Sequence, residues 1–145
     1  MVKNIKANNP LLKSWVKIPR ESDFPIQNLP FGIYSTKNKT KRVGVAIGDQ
    51  ILDLSKLFEL GYLNNLSFCE HCFSNEFLNR MMGHGKSEIR SLRDRISNLL
   101  DIENDELFKN ESNVKLVLDL QLDANMHLPV KIGDYTDFYS SEQHA

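Results

Sequence analysis

The sequence has few cysteines, no excess charge of either sign and no long apolar run, and these shortages exclude several classes of protein. It holds 18 lysines and arginines against 19 aspartates and glutamates, for a formal net charge of -1. Binding to nucleic acid needs a basic excess that neutralises phosphates, so we expect no nucleic-acid partner. No apolar stretch approaches the ~20 residues of a membrane span, and the polar start lacks the apolar core of a signal peptide. We therefore expect a cytoplasmic protein without a membrane partner.

Both cysteines lie in one motif, CEHC at residues 69–72. Zinc sites and thioredoxin-like redox pairs use this spacing. A structural zinc ion needs about four ligands, and no second ligand pair stands at the right spacing, although His71 and His84 are near. A redox motif belongs in a βαβ context, which the sequence does not show. We favour reduced thiols packed beside neighbouring phenylalanines, and the role of Cys69 and Cys72 stays open.

The first third of the chain has the pattern of a small β domain. Residues 31–35 read as a strand, and apolar residues alternate over 42–47. The pair Gly48-Asp49 then separates this run from a second apolar run. A two-residue Gly-Asp link predicts a β-hairpin in which Gly48 adopts positive φ. We interpret the basic cluster before the second strand as a solvated loop rather than a site for an anionic substrate: Lys37, Lys39, Lys41 and Arg42.

The middle of the chain is predicted to be helical. Ser55 and Ser74 are interpreted as the caps of two short helices. The clearest helix is 86–100, in which apolar residues recur at helical spacing and predict one buried stripe. The stripe consists of Ile89, Leu92, Ile96, Leu99 and Leu100. His84 lies between two glycines and is assigned to an exposed loop rather than to a ligand site, and residues 114–120 are β-prone.

Residues 132–145 are crowded with polar and aromatic side chains and hold almost no aliphatic residue. This composition is typical of neither a disordered tail nor a core strand, and it indicates a segment that presents polar groups to a pocket. Three blocks resemble the fumarylacetoacetase family and occur in that family's order: SDFPIQNLPFG at 22–32, RVGVAIGDQILDL at 42–54 and IGDYTDFYSS at 132–141, followed by His144. Residues 58–122 match only loosely.

The resemblance implies an α+β, β-rich fold. Residues 1–125 would form a small SH3-like β-barrel N-terminal domain with a helical insertion. Residues 126–145 would form the truncated start of a β-roll catalytic domain. The family's enzyme hydrolyses a carbon–carbon bond of 4-fumarylacetoacetate, giving fumarate and acetoacetate in tyrosine catabolism. A homodimer is implied for the full-length protein.

The resemblance also assigns roles to three residues of the last block. Asp137 matches a ligand of a divalent cation, Ca²⁺ and/or Mg²⁺, Tyr139 matches a substrate contact, and His144 matches the base that activates water. Carboxylates suit such hard cations, and a histidine that titrates near neutral pH suits the proton transfer. The family's remaining ligands lie beyond residue 145, so we expect this chain alone to be inactive.

Two alternatives stay open. The domain can instead be a non-catalytic packing or regulatory module for its own catalytic domain or for a dimer. A related acylpyruvate-type hydrolase is the weaker alternative, because the block at 22–32 points to the fumarylacetoacetase family itself. Without the surrounding motif, Asp137 would be interpreted as a turn residue and His144 as a solvent-exposed side chain.

Overall fold

A computed structural model describes residues 6–138 and 140–143 and the backbone of His144. Within these residues the framework is a five-stranded antiparallel sheet: β1 (Phe31–Thr36), β2 (Lys39–Ile47), β3 (Gln50–Asp53), β4 (Leu118–Leu120) and β5 (Asn125–His127). The helices are α1 (Leu54–Glu59), α2 (Glu70–Phe73), α3 (Asn79–Met82), α4 (Gly85–Leu100) and α5 (Glu111–Val117). They all fall between β3 and β4, which confirms the predicted helical insertion and the α+β class.

The predicted hairpin joins β2 to β3. Ile47 pairs with Gln50 across the two-residue link Gly48-Asp49. Gly48 has φ 59° whereas Asp49 keeps a negative φ, a pattern that fits a type II′ turn with glycine in its first central position. A side chain at position 48 would also approach the Lys17 carbonyl oxygen to 2.7 Å, so two independent constraints favour glycine there.

The sheet is open, and the predicted SH3-like barrel is not closed. The strand order is β4-β3-β2-β1-β5, so β4 and β5 occupy opposite edges and do not pair with each other within the described residues. Closure requires tilted, staggered strands whose edges meet, and these two edge strands are only three residues long. The proposed domain boundary between residues 125 and 126 falls inside β5.

The hydrophobic core lies between one face of the sheet and the helices. Val43, Val45 and Ile47 alternate toward it from β2 and are fully buried. The α4 stripe is confirmed for four of its members, Leu92, Ile96, Leu99 and Leu100, which are fully buried. Ile89 is half-buried against the core, because it lies in the first turns of α4 near the protein surface.

An irregular N-terminal arm covers the core beside α4. The Trp15 indole donates a hydrogen bond to the Leu99 carbonyl oxygen at 2.9 Å. Ile26 and Leu29 are each 1% exposed, so the arm is packed and not a mobile tail. Pro25 lies within it, and proline disfavours helix in the residue that precedes it.

Two predicted helix starts are wrong. The cap of α1 is Asp53, whose Oδ1 accepts a hydrogen bond from the Lys56 backbone N–H at 3.0 Å, rather than Ser55. The helix predicted from Ser74 is replaced by α2 and α3, and Ser74 ends α2. Local propensity is overridden here because the two short helices bury Phe73 and Met81 in the core.

The β-prone segment 114–120 divides between two elements. Its first half completes α5, whose N-cap Asn110 accepts a hydrogen bond from Asn113 N–H at 3.1 Å. Its second half is the edge strand β4. No helix among the described residues is both long enough and apolar enough to cross a membrane.

Candidate functional site

The polar segment that follows β5 lies outside the sheet and carries the predicted site residues. Asp137 is exposed, belongs to no helix or strand, and makes no hydrogen bond or ion pair within the described residues. Tyr139 lies outside the described residues. The backbone of His144 closes a 3₁₀ turn, Glu142–His144, and its side chain is not among the described atoms. The mutual arrangement of the three predicted residues lies outside the described residues, and their roles stay predictions.

Two aromatic side chains of this segment do not fix it to the rest of the described chain. Tyr135 and Phe138 are 82% and 81% exposed. Tyr135 and Phe138 therefore do not anchor the segment to an apolar surface of the described residues. Both rings are thus accessible for contacts with other groups.

Instead, hydrogen bonds from Leu78 and Asn79 at the start of α3 hold the beginning of the segment, and we call this contact the Asn79 clasp. The Asn79 side chain donates to the Lys131 carbonyl oxygen at 3.0 Å and accepts from the Lys131 N–H at 2.8 Å. The Leu78 N–H donates to the Pro129 carbonyl oxygen at 2.8 Å. These bonds fix where the segment leaves the fold. Asn79 was missed at the sequence level, because an asparagine inside a predicted helix carries no signal of a contact 52 residues away.

The described residues do not form a cation site on their own. Ca²⁺ and Mg²⁺ need about six oxygen ligands, several of them charged. Among the described residues there is no group of three or more histidine, cysteine, aspartate or glutamate side chains that could hold a metal ion. Asp137 contributes one carboxylate, and this alone does not fit a hard cation.

A charged network crosses the second face of the sheet, opposite the helices. Lys39 Nζ lies 2.6 Å from Asp119 Oδ2 and 3.0 Å from Asp53 Oδ2, and Arg42 lies 3.4 Å from the same Asp53 oxygen. Two cations therefore balance two carboxylates. The earlier interpretation of Lys39 and Arg42 as members of a solvated loop is wrong, because both side chains are four-fifths buried in ion pairs.

Tyr34 completes this network as a neutral group. Its hydroxyl donates to Asp119 Oδ2 at 2.6 Å. Burial, followed by the negative charge of Asp53, raises the pKa of Tyr34 far above its ordinary value of 10.0. A Cβ at Gly44 would come within 2.7 Å of the Tyr34 ring, so glycine is needed for the ring to cross the sheet. The network joins β1, β2, β3 and β4 and has the form of a structural element rather than an acid–base site.

The CEHC motif forms a compact corner with the histidine that follows α3. Cys69 Sγ and Cys72 Sγ are 3.2 Å apart, and His84 Nε2 lies 3.3 Å from Cys72 Sγ. The prediction that His84 lies in an exposed loop is wrong. Its imidazole is half-buried and lies against the Phe68 ring, with 4.6 Å between ring centroids. The contacting residues Cys72 and His84 are 12 positions apart in the sequence, and α3 lies between them.

Residues 27–129 match the family model described as "Fumarylacetoacetase N-terminal". This match covers the sheet and the helical insertion, including the middle of the chain, whose resemblance was loose. The chain belongs to the fumarylacetoacetase N-terminal family.

Relatives of this family from distant organisms support the assignment. The chain is 46% identical over 133 residues to a fumarylacetoacetase of Mus musculus, which covers 91% of the chain and 32% of the relative. It is 44% identical over 135 residues to one of Caenorhabditis elegans and 36% identical over 137 residues to one of Arabidopsis thaliana. The chain spans about a third of the length of the curated relatives it matches.

The match to the family model ends at residue 129, whose carbonyl oxygen accepts the hydrogen bond from the Leu78 N–H. The folded body of the chain is therefore the family's N-terminal domain. The segment that carries Asp137 follows directly after the matched region.

Proposed function

We propose that this chain is the N-terminal part of a fumarylacetoacetase, which hydrolyses a carbon–carbon bond of 4-fumarylacetoacetate to give fumarate and acetoacetate in tyrosine catabolism. One observation carries the proposal: relatives that bear this name share 36–46% identity with nearly the whole chain. Residues 130–145, which follow the matched region, are the first part of a β-roll catalytic domain, and the longer protein is a homodimer located in the cytoplasm.

Within that protein, three residues of the polar segment act in the site. Asp137 is one carboxylate ligand of a divalent cation, Ca²⁺ and/or Mg²⁺. Tyr139 contacts the substrate, and His144 accepts the proton of the attacking water. The exposure of Asp137 and its lack of a partner within the described residues support this assignment, since a ligand carboxylate must be free to reach groups supplied from outside the chain.

The 145-residue chain alone is inactive in this proposal. A histidine acts as an efficient base only when a neighbouring group orients it, and a hard cation is held only by several oxygen ligands. Among the described residues no group of three or more histidine, cysteine, aspartate or glutamate side chains could hold a cation, and Asp137 is exposed to water. The active site is thus completed by residues from another part of the protein.

A second candidate is a packing module for the catalytic domain or for the dimer. An apolar groove of about 290 Å³ lies on the second face of the sheet, bordered by Phe31, Ala46 and Met126. Met126 borders the groove and is 64% exposed. Other large apolar side chains in the last part of the chain are also exposed: Leu120, Leu122, Leu128 and Ile132. A surface of this kind is suited to burial against another domain.

The test measures the loss of fumarylacetoacetate absorbance in the presence of purified proteins. It compares the 145-residue chain with a longer protein in which the chain is followed by the part of the Mus musculus relative that it does not match. We expect turnover by the longer protein only. Robust turnover by the 145-residue chain contradicts the proposal, and so does an inactive longer protein that is correctly folded.

A further inference from the structure

The corner formed by Cys69, Cys72 and His84 is independent of the site proposed above and has its own chemistry. The two sulfur atoms are 3.2 Å apart, and a disulfide bond is about 2.05 Å long. Closing the bond therefore requires an approach of only about 1.2 Å between two side chains three residues apart. We propose that Cys69 and Cys72 form a reversible disulfide when a hydroperoxide oxidises the chain.

The two cysteines differ in exposure and in thiol pKa, as the attacking and the resolving thiol of such a reaction should. Cys69 is exposed, so an oxidant reaches its sulfur directly, whereas Cys72 is fully buried. The hydrogen bond from Cys72 and the charge of Arg80 both lower the pKa of the Cys69 thiol. Burial raises the pKa of the Cys72 thiol. Cys69 is thus the attacking thiolate and Cys72 the resolving thiol, because the thiolate form is the nucleophile.

His84 is placed to remove the proton from the resolving thiol. Its Nε2 lies 3.3 Å from Cys72 Sγ, and the contact with the Phe68 ring holds the imidazole in place. His71 lies between the two cysteines in sequence but is exposed and makes no hydrogen bond to either sulfur among the described residues. The two histidines therefore form a matched pair for experiment.

The reaction is balanced with one hydroperoxide as oxidant. The Cys69 thiolate attacks an oxygen of the peroxide, an S–O bond forms and the O–O bond breaks, which gives a sulfenic acid. For hydrogen peroxide, the leaving hydroxide takes up the proton that Cys69 had released, giving water. Cys72 then loses its proton to His84, and its sulfur attacks Cys69 Sγ. The S–O bond breaks, and the second hydroxide takes that proton. The two sulfurs are oxidised, the peroxide is reduced, and two waters form.

The test treats the reduced 145-residue chain with one equivalent of hydrogen peroxide, blocks the remaining thiols with an alkylating agent and measures the intact mass over time. We expect both thiols to disappear together, leaving a monomeric chain that is lighter by two hydrogen atoms and that dithiothreitol restores. In Cys72→Ala, Cys69 should accumulate as a sulfenic acid that dimedone traps. In Cys69→Ala, loss of the buried Cys72 thiol should be at least about tenfold slower.

The histidine variants test the corner without altering either sulfur. His84→Gln should slow disulfide closure by about tenfold or more, whereas His71→Gln should leave the rate unchanged. The proposal is overturned if the thiols react independently, if only disulfides between two chains form, or if both histidine variants close at the wild-type rate. Tight binding of one zinc ion that protects both thiols from peroxide would also overturn it, in favour of a metal site. Cys69→Ala changes an exposed side chain, so its result does not depend on an intact core.

Discussion

Replacing Asn79 with alanine should release the polar segment from α3 without unfolding the domain. The Asn79 side chain makes two hydrogen bonds to the Lys131 backbone, at 2.8 and 3.0 Å. A hydrogen bond contributes about 0.5–1.5 kcal/mol net, and these two are exposed to water, so we take about 1–2 kcal/mol for both. Each 1.4 kcal/mol changes an equilibrium about tenfold, so the released population should rise by roughly tenfold.

Amide hydrogen exchange measures this release directly, because the Lys131 N–H is itself one of the donors. We expect exchange of this amide to accelerate by roughly tenfold in Asn79→Ala, with little change for amides in α4. Asn104→Ala is the matched control. It removes another asparagine that makes two side-chain hydrogen bonds, to Asn98 and Glu106, at a distance from the segment. Equal exchange rates at Lys131 in wild type and Asn79→Ala would refute the clasp.

Two further predictions concern stability. Leu92→Ala removes a fully buried side chain from α4 and should cost about 3 kcal/mol, whereas Leu122→Ala, at a side chain that is 97% exposed, should leave the thermal midpoint nearly unchanged; equal midpoints for the two variants would contradict the assigned burial. Hydrogen bonds from Arg95 lower the pKa of Glu106 below its ordinary value of 4.5. The ionised carboxylate therefore stabilises the fold at pH values above 4.5, and this contribution is lost as the pH falls through the lowered pKa. In urea unfolding near pH 7, the free energy of unfolding of Glu106→Gln should be lower than that of wild type, by less than about 1 kcal/mol because solvent screens this exposed pair. The difference should shrink in acid.

The elements that were predicted from the sequence are those that a local pattern encodes. The hairpin at Gly48-Asp49 follows from alternation around a two-residue link, and α4 follows from an apolar stripe repeated over four turns. The short helices were harder to predict. One turn of helix is too short to carry a periodic signal. Ser74 was therefore interpreted as an N-cap from its residue type alone, although it ends α2.

Features that depend on contacts distant in sequence were not predictable from local patterns. Lys39 and Arg42 had the composition of a solvated loop, and only the approach of Asp53 and Asp119 from other strands buries them. The contact between Cys72 and His84 required the path of the chain through α3. Barrel closure was inferred from the family resemblance, and the short edge strands β4 and β5 do not provide it.

The roles of Asp137, Tyr139 and His144 came from the resemblance to the family and not from geometry. They stay predictions. The Asn79 clasp on Lys131 fixes where their segment leaves the folded domain. Asp137 is exposed, so its carboxylate is accessible to a cation.

The most direct test of the account measures turnover and cation affinity in the longer protein, in which this chain is followed by the unmatched part of the Mus musculus relative. His144→Ala should abolish most hydrolysis of fumarylacetoacetate while leaving Ca²⁺ or Mg²⁺ affinity nearly unchanged, and Asp137→Ala should weaken the cation, with activity partly restored by added metal. Asp134→Ala, a carboxylate in the same exposed segment, is the control and should retain more of both properties. Full activity of the His144→Ala protein, or unchanged cation affinity in Asp137→Ala, would contradict the claim that this chain supplies these two groups to the active site.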